Sequence, residues 1–443
     1  MEKLIPTFYG NFGKYRNQKQ MIPNAIDGCL PVRRRLLLGV HNLAKTGFKK
    51  TASVLGYVMQ HWHPHAEASG AIAILVQDGF IDGQGQWGSR LGIEEIGPAA
   101  TRYTEVKANE FIEEIALKYV KYVPWERDEL DPEPVVLPTM IPLCLFCNAR
   151  STPPAFGFKS NIPTYKFKDL VKRLLYLEGR RKKITITPNI DGCEVLNSRE
   201  ELEELLSKSI DKITVRGILH KDPKNYRIYI RGWSYDNKFS TIYKYINKDG
   251  LLDNGDVTFL DESTEEGKYK GTNIRFEVAK TRNKTAIYKK LEKSIEKAVT
   301  STIHYQIFLV SPNDGNIIEL SVDQMLRQTF KFYKNVLKNY FKESIKDIEK
   351  DINELNIIEK IKKHLNEALK LKDIDKIIKH LSDNIKESEE TVREIVDKYK
   401  IKKLMTVNTD IQKLKNRLNE FKNNLENIDE YTLKEYEELE KKL

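Results

Sequence analysis

The chain has 443 residues, too many for one hydrophobic core, so two to four domains are expected. Apolar residues at 40% and charged residues at 31% fit a soluble globular protein, and no apolar run approaches the roughly 20 residues that span a bilayer. A formal net charge of +10 favours a polyanionic partner, although a Lys-rich composition alone would produce it.

Residues 1–20, "MEKLIPTFYGNFGKYRNQKQ", are polar and aromatic and read as an N-terminal arm without a secretory leader. From 21 to 160 the chain is rich in Gly, Pro and His. "GFKKTASVLGYVMQHW" and "HAEASGAIAILVQDGF" carry apolar residues at helical spacing, with Pro64 at the joint between them. Two short helices joined this tightly predict a helix-turn-helix or winged-helix unit. The four cysteines are Cys29, Cys144, Cys147 and Cys193. Cys144-x-x-Cys147 could be half a zinc site or a redox pair, but no second pair completes a ligand set. The apolar run "MIPLCLFCNAR" favours buried thiols, and so few cysteines suit a reducing compartment.

From 161 to 321 strands and helices mix. "KITVRGIL", "NYRIYIRGW", "NIRFEVAK" and "TIHYQIFLV" read as strands, and "KTAIYKKLEKSIEKAV" as a helix. From 322 to 443 Pro and Gly are absent. Leu326, Phe330, Leu337, Phe341, Ile345, Ile348, Ile352 and Leu355 mark one stripe. Ile411, Leu414, Leu418, Phe421, Leu425 and Ile428 alternate spacings of three and four, the heptad pattern of a coiled-coil seam. An antiparallel pair of long helices with a small helical head at about 356–404 is expected. A plain long-helix bundle has the same pattern. The fold class is therefore multidomain α+β.

One stretch, "DGQGQWGSRLGIEEIGPAATRYTEVK" at 82–107, spells both a dinucleotide fingerprint and a possible nucleophile. Gly83-x-Gly85-x-x-Gly88 would need a long helix opening at its third glycine. Two more glycines and Pro98 follow instead, and no phosphate-binding loop occurs anywhere in the chain. Arg102-Tyr103 gains what the glycines lose. A phenol is a poor nucleophile at neutral pH, but beside cations it can attack phosphorus. A guanidinium fork suits the two non-bridging oxygens of a phosphodiester. Alone, this would be an ordinary surface Tyr-Arg pair.

The surrounding blocks change that reading. "IPNAIDGCLPVRRRLLLGV", "FKKTASVLGYVMQHWHPHAEAS", "DGQGQWGSR" and "AATRYTE" occur in this order. They resemble the breakage-reunion domain of type IIA DNA topoisomerases, found in the A subunits of gyrase and topoisomerase IV. That family reads D-G-L-K-P-V-x-R-R, K-K-S-A-x-x-V-G, H-P-H-G-D, D-G-Q-G-N-F-G-S and A-A-M-R-Y-T-E. The likeness continues through "LPTMIPLCLFCNARSTPPAFGFKSNIP" and, more weakly, through the terminal long helices.

The resemblance implies a winged-helix DNA-gate domain at 21–160, an α/β tower domain at 161–321 and a coiled coil at 322–443 carrying the exit-gate dimer contact. Tyr103 would be the nucleophile and form a transient 5′-phosphotyrosine. Arg102 and His65 would meet the scissile phosphate, with His63 in support. Arg34, Arg35, Lys49 and Lys50 would touch the DNA backbone. The family's intercalating Ile falls at Pro154, and either Pro154 or Phe156 could wedge DNA. Two positions depart from the family: Gln20, beside Lys19, replaces an Arg, and Ala66 replaces the Gly of H-P-H-G-D. The resemblance further implies double-stranded DNA as substrate, a homodimer, and a B subunit in an A2B2 assembly. That second polypeptide would hold Mg2+ in a Toprim site and bind ATP. A bacterial or phage-infected cytoplasm, with nucleoid association, is expected. The sequence ends at Leu443 with no counterpart of gyrase's DNA-wrapping β-pinwheel, so relaxation and decatenation without negative supercoiling is expected. Its small size resembles that of the bacteriophage enzymes with split chains. The rival is a non-catalytic winged-helix DNA-binding or clamp protein.

Overall fold

A computed structural model describes residues 4–64, 68–89, 91–128, 130–146, 157, 159–235, 237–266, 270–279, 283–371, 373–408 and 410–443. The chain divides into two compact units, Met1–Tyr333 with Tyr436–Leu443, and Lys334–Glu435.

The first unit opens with α1 (Leu4–Arg16), which runs into a π turn over Asn17–Met21. Pro31 at the first helical position starts α2 (Pro31–Leu43), whose Leu36, Leu37, Leu38 and Val40 are buried. The helix expected from "GFKKTASVLGYVMQHW" is α3 (Thr51–His61), and that from "HAEASGAIAILVQDGF" is α4 (Ser69–Gln77). Val54, Leu55 and Val58 of α3 are buried, as are Ile72, Ala73 and Leu75 of α4. Pro64 falls between the two helices, as its missing N–H favours. A small antiparallel sheet lies among these helices. Its order is β1 (Lys49–Lys50), β3 (Glu105–Ala108), β2 (Ile81–Gln84). A two-stranded hairpin follows, β4 (Trp125–Arg127) paired with β5 (Pro132–Pro134).

Beyond residue 160 the four expected strand runs contribute to two larger sheets and one two-stranded sheet. One larger sheet is β6 (Cys193–Val195), β7 (Ile210–Gly217) and β12 (Thr300–Gln306), with β7 central. The other runs β10 (Val257–Asp261), β11 (Ile274–Val278), β9 (Arg227–Ile230), β8 (Leu219–Asp222). Helix Lys284–Ala298 packs Leu291 and Ile295, both fully buried, into the core of the second sheet beside Ile230 and Phe276. The run "TIHYQIFLV" is two strands. After β12 the chain breaks at Ile307, whose N–H goes to the Ser209 carbonyl, and β13 (Phe308–Val310) pairs with β14 (Ile317–Glu319). The burial pattern changes there. Ile303 and Tyr305 point in while His304 points out, whereas Phe308, Leu309 and Val310 are all buried. That second strand packs on Ile22 and ties the region back to the N-terminal helices.

Arg173, 2% exposed, links three segments of this unit. Its guanidinium meets Asp323 at 2.6 Å, Glu203 at 2.9 Å and the Ile184 carbonyl. Asp323 lies in the first turn of Val322–Ala368, a helix of 47 residues.

The second unit is helical. Lys422 pairs with Glu349 at 2.7 Å, and Lys334 pairs with Asp429 at 2.6 Å. Partner numbers fall as the chain advances, so Gln412–Glu426 and Ile428–Lys442 run antiparallel to the long helix over these contacts. Phe341 meets the rings of Phe421 and Tyr431 edge-on. The expected stripes are the buried or half-buried ones. The second is interrupted at Asn427, which caps one helix before the next begins. Helices Ile374–Ile385 and Glu389–Tyr399 start at the side-chain caps Asp373 and Ser388. They enclose a separate apolar cluster around Ile358, Ile361, Leu365, Ile378, Leu381 and Val392. Among the described residues no helix is long and apolar enough to cross a membrane.

Candidate functional site

Tyr103 sits on a turn that leads into the central strand β3. Its N–H closes the turn on the Ala100 carbonyl at 2.8 Å. The ring is 65% exposed, and Arg102 Cζ lies 4.6 Å from its centroid. The ring is thus open to solvent on the face that the guanidinium does not cover.

The next residue is the opposite. Thr104 is fully buried, and its hydroxyl donates to the Thr51 hydroxyl at 2.8 Å. Thr51 N–H returns to the Thr104 carbonyl at 3.0 Å. Thr51 is the first residue of α3, so the tyrosine turn is clamped to that helix's N-terminus. The strand register places two cations alongside: Lys50 faces Glu105 and Lys49 faces Val106. Both lysines are exposed, and Lys50 Nζ is 2.8 Å from the Glu105 carboxylate.

The glycine motif serves the same turn. β2 pairs with β3 through Gly83 and Gln84, and no helix opens at Gly88. Gly85 adopts φ +101°, and a Cβ there would stand 3.1 Å from the Tyr103 carbonyl oxygen. Gly85 is therefore a close approach of two backbones, one of them carrying Tyr103, whereas a Cβ at Gly83 would meet Val76 and Trp87 and one at Gly88 the Ile96 carbonyl.

Arg34 and Arg35, expected at the DNA backbone, are buried in ion pairs at 7% and 6% exposure. Arg34 Nε is 2.7 Å from Asp27, which also accepts from the Cys29 and Leu137 N–H groups. Burial opposes the charge on Arg34, but the Asp27 carboxylate outweighs it and the pKa is raised. The neighbouring Gly28, at φ +66°, lets Cys144 pack where a Cβ would sit 2.6 Å from its sulfur. The "IDGCLPVRR" block thus builds the scaffold. Arg35 pairs with Glu133 at 2.6 Å and reaches Asp128 at 3.3 Å, and its Nη1 is 3.3 Å from His63 Nδ1. Lys19 Nζ meets the same Asp128 at 2.9 Å, whereas Gln20 accepts from Arg16. His65, Ala66, Pro154, Phe156 and Cys147 lie outside the described residues. Cys29 and Cys144 are buried free thiols, and Cys193 is partly buried.

The structure thus places Tyr103 and Arg102 on the turn before β3 and Lys49 and Lys50 on the strand paired with it, whereas Arg34 and Arg35 are engaged in buried ion pairs. Sequence reasoning missed Thr51, Thr104 and Asp27, and the acidic side chains of the β4–β5 hairpin. The run "ERDELDPEP" was the visible signal for the last of these. Among the described residues no group of three or more His, Cys, Asp or Glu side chains could hold a metal ion. The implied Mg2+ has no fitting ligand set among them.

The model of the family described as the A subunit of DNA gyrase/topoisomerase IV matches residues 21–443. The chain is 26% identical to the DNA gyrase A subunit of Clostridium acetobutylicum over 377 residues, covering 79% of this chain and 44% of that protein. It is 25% identical to the DNA topoisomerase 4 A subunit of Staphylococcus epidermidis over 442 residues, 94% of this chain and 54% of that one. The corresponding protein of Bacillus subtilis is 25% identical over 394 residues, 83% and 46%. The chain spans about half the length of these relatives. With a family model matched across nearly all of its length, the chain belongs to the family of DNA gyrase and topoisomerase IV A subunits.

Proposed function

We propose that this chain is the DNA-cleaving and rejoining component of a type IIA topoisomerase, with Tyr103 as its nucleophile. The observation that carries the proposal is an exposed phenol on a rigid turn, clamped through Thr104 and Thr51 to a helix that begins beside Lys49 and Lys50. In the reaction the Tyr103 oxygen attacks a DNA phosphorus. A tyrosyl O–P bond forms, the bond to the 3′ oxygen breaks, the phenol gives up its proton, and the released 3′ oxygen gains one. Phosphorus stays on the 5′ side. One ester replaces another, so resealing needs no external energy. Arg102 supports charge on the non-bridging oxygens. By resemblance to the family, His65 and His63 would meet the same phosphate, Lys49 and Lys50 would neutralise the flanking backbone, and Pro154 is a candidate wedge between base pairs.

Residues 21–160 form the winged-helix gate domain in this reading, and 161–321 the tower. Residues 322–443 form the coiled coil, with the homodimeric exit gate at about 356–404. Supported by relatives named as gyrase and topoisomerase 4 A subunits, the assembly is A2B2, and the B subunit supplies Mg2+ binding and the ATPase. The cytoplasm, at the nucleoid, is where its substrate lies. The test combines the chain, its B subunit, Mg2+ and supercoiled plasmid, then adds denaturant and protease. Linear DNA with protein on its 5′ ends is expected, and Tyr103→Phe should give none. DNA binding without any covalent product would overturn the proposal in favour of a clamp.

A further inference from the structure

The surroundings of Arg35 assign it a task other than holding DNA. Its Nε and Nη2 make a fork to Glu133 at 2.8 and 2.6 Å, Nη2 reaches Asp128 at 3.3 Å, and Nη1 lies 3.3 Å from His63 Nδ1. Both carboxylates belong to the β4–β5 hairpin. That hairpin is fastened to the end of α3. Asp131 N–H donates to the His61 carbonyl at 2.9 Å, Trp62 Nε1 donates to the Pro132 carbonyl at 3.1 Å, and the Asp131 carboxylate meets His61 Nδ1 at 2.6 Å. Asp128 is held from its other side by Lys19.

A guanidinium has donors and no acceptor. A hydrogen bond at this contact therefore has the His63 nitrogen as acceptor, which requires a neutral ring with its proton on Nε2. We propose that Arg35 is a positioning residue: the hairpin carboxylates hold its fork, and it holds His63 as the neutral Nε2–H tautomer. The imidazole then meets a DNA phosphate as a hydrogen-bond donor. The other tautomer would turn a lone pair toward the phosphate oxygens and repel them. With Glu133 and Asp128 balancing Arg35 and Lys19, Arg35 adds little to counterion release. This rests on the reading that Tyr103 becomes joined to DNA, and it names how His63 is prepared for that step.

The test uses the full chain with its B subunit. Arg35→Gln should lower 5′-linked cleavage about tenfold or more, short of the roughly 10²–10³ lost with an outright transition-state donor. The salt slope of DNA binding should not change, whereas removal of a phosphate contact would lower it by about one. In a His63→Ala background the same substitution should cost less than about twofold, because the two residues act as one unit. Spectra of 15N-His-labelled protein, assigned with His63→Gln, should show the Nε2–H tautomer in the parent and a mixture in Arg35→Gln. Arg35→Lys, which keeps charge and loses the fork, and Asp128→Asn, at a partly exposed carboxylate, should shift tautomer and cleavage in the same direction, and they decide the matter if Arg35→Gln does not fold. Additive losses, a salt slope reduced by one, or an Nδ1–H tautomer in the parent would each overturn the assignment. Cleavage persisting in Tyr103→Phe would instead sink the underlying reading, whatever the result at Arg35.

Discussion

Substitution of Arg34 by Met separates a scaffold role from a DNA-binding role. Asp27 is fully buried, and its carboxylate is shared among Arg34 and the N–H groups of Cys29 and Leu137. The Asp27 carbonyl also takes the Leu143 N–H at 2.8 Å, so this one residue ties α2 to the 137–143 segment. Removing the guanidinium strands a buried charge, a change that costs about 3–5 kcal/mol. A unit of about 340 residues unfolds with an entropy on the order of 0.7 kcal/mol/K, so the midpoint should fall by about 4–7 °C. Scanning calorimetry of the full chain is the assay, because its two compact units need not melt together. Asp27→Asn combined with Arg34→Met removes both charges and should recover part of the loss. DNA binding measured against salt should keep its slope in the folded variant. A midpoint within about 1 °C of the parent, with the salt slope lowered by about one, would refute the scaffold argument and return Arg34 to the DNA.

Gly85→Ala forces an L side chain into φ +101° against the Tyr103 carbonyl. It should cost on the order of 1–3 kcal/mol and depress cleavage more than DNA binding, read by parallel plasmid-cleavage and filter-binding assays. Thr51→Val and Thr104→Val each orphan a buried hydroxyl, at about 1–3 kcal/mol, while the double variant should lose less than the sum in denaturant unfolding. For Glu203, burial pushes the carboxyl up, but hydrogen bonds from Arg173 and Thr185 outweigh it and hold the pKa below the usual range. Stability from a depressed carboxyl is complete above the unfolded value of about 4.3 and is lost as pH falls through the lower folded value. Denaturation below about pH 4.3 should therefore show a shallower pH dependence in Arg173→Met than in the parent. Leu381→Ala should cost about 2–5 kcal/mol in the helical cluster of the second unit, measured by loss of far-ultraviolet dichroism on heating.

Periodic features were legible in the sequence because burial writes them there. The apolar positions of α3, α4 and the terminal helices repeat at helical spacing, and those positions are the buried ones. Tyr103 was singled out as a candidate by the order of its neighbouring blocks. Pairings across long separations were not. The Thr51 and Thr104 hydroxyls lie 53 positions apart and have no periodic signature. Arg34 and Lys49 look alike as cations along the chain, yet one is sealed against Asp27 and the other is exposed. Pro31 held the missing clue. It opens a helix whose first turn carries Arg34 back toward Asp27, seven residues earlier. The break at Ile307 was hidden for another reason: a half-buried strand and a fully buried one read as a single apolar run.

A nucleophile that must reach a substrate outside the chain faces two opposed demands. Its oxygen has to be exposed, and its backbone has to be fixed, because freedom at the turn becomes entropy lost on every approach to phosphorus. In the role proposed for it, Tyr103 meets both through its neighbours. Its N–H is tied to Ala100, the following residue is buried against Thr51, and Gly85 brings a second strand's backbone against its carbonyl. Each restraint acts on the main chain and none covers the ring. Gly85 therefore links the glycine and tyrosine ends of the 82–107 stretch, because a side chain there would push against the tyrosine turn, whereas a Cβ at Gly83 would meet Val76 and Trp87 and one at Gly88 the Ile96 carbonyl. On this argument, damage to Gly85 or Thr104 should lower the rate of covalent joining while leaving the affinity for DNA to Lys49 and Lys50. Equal losses in rate and affinity would mean that the turn is part of the grip on DNA and not a mount for the reacting oxygen.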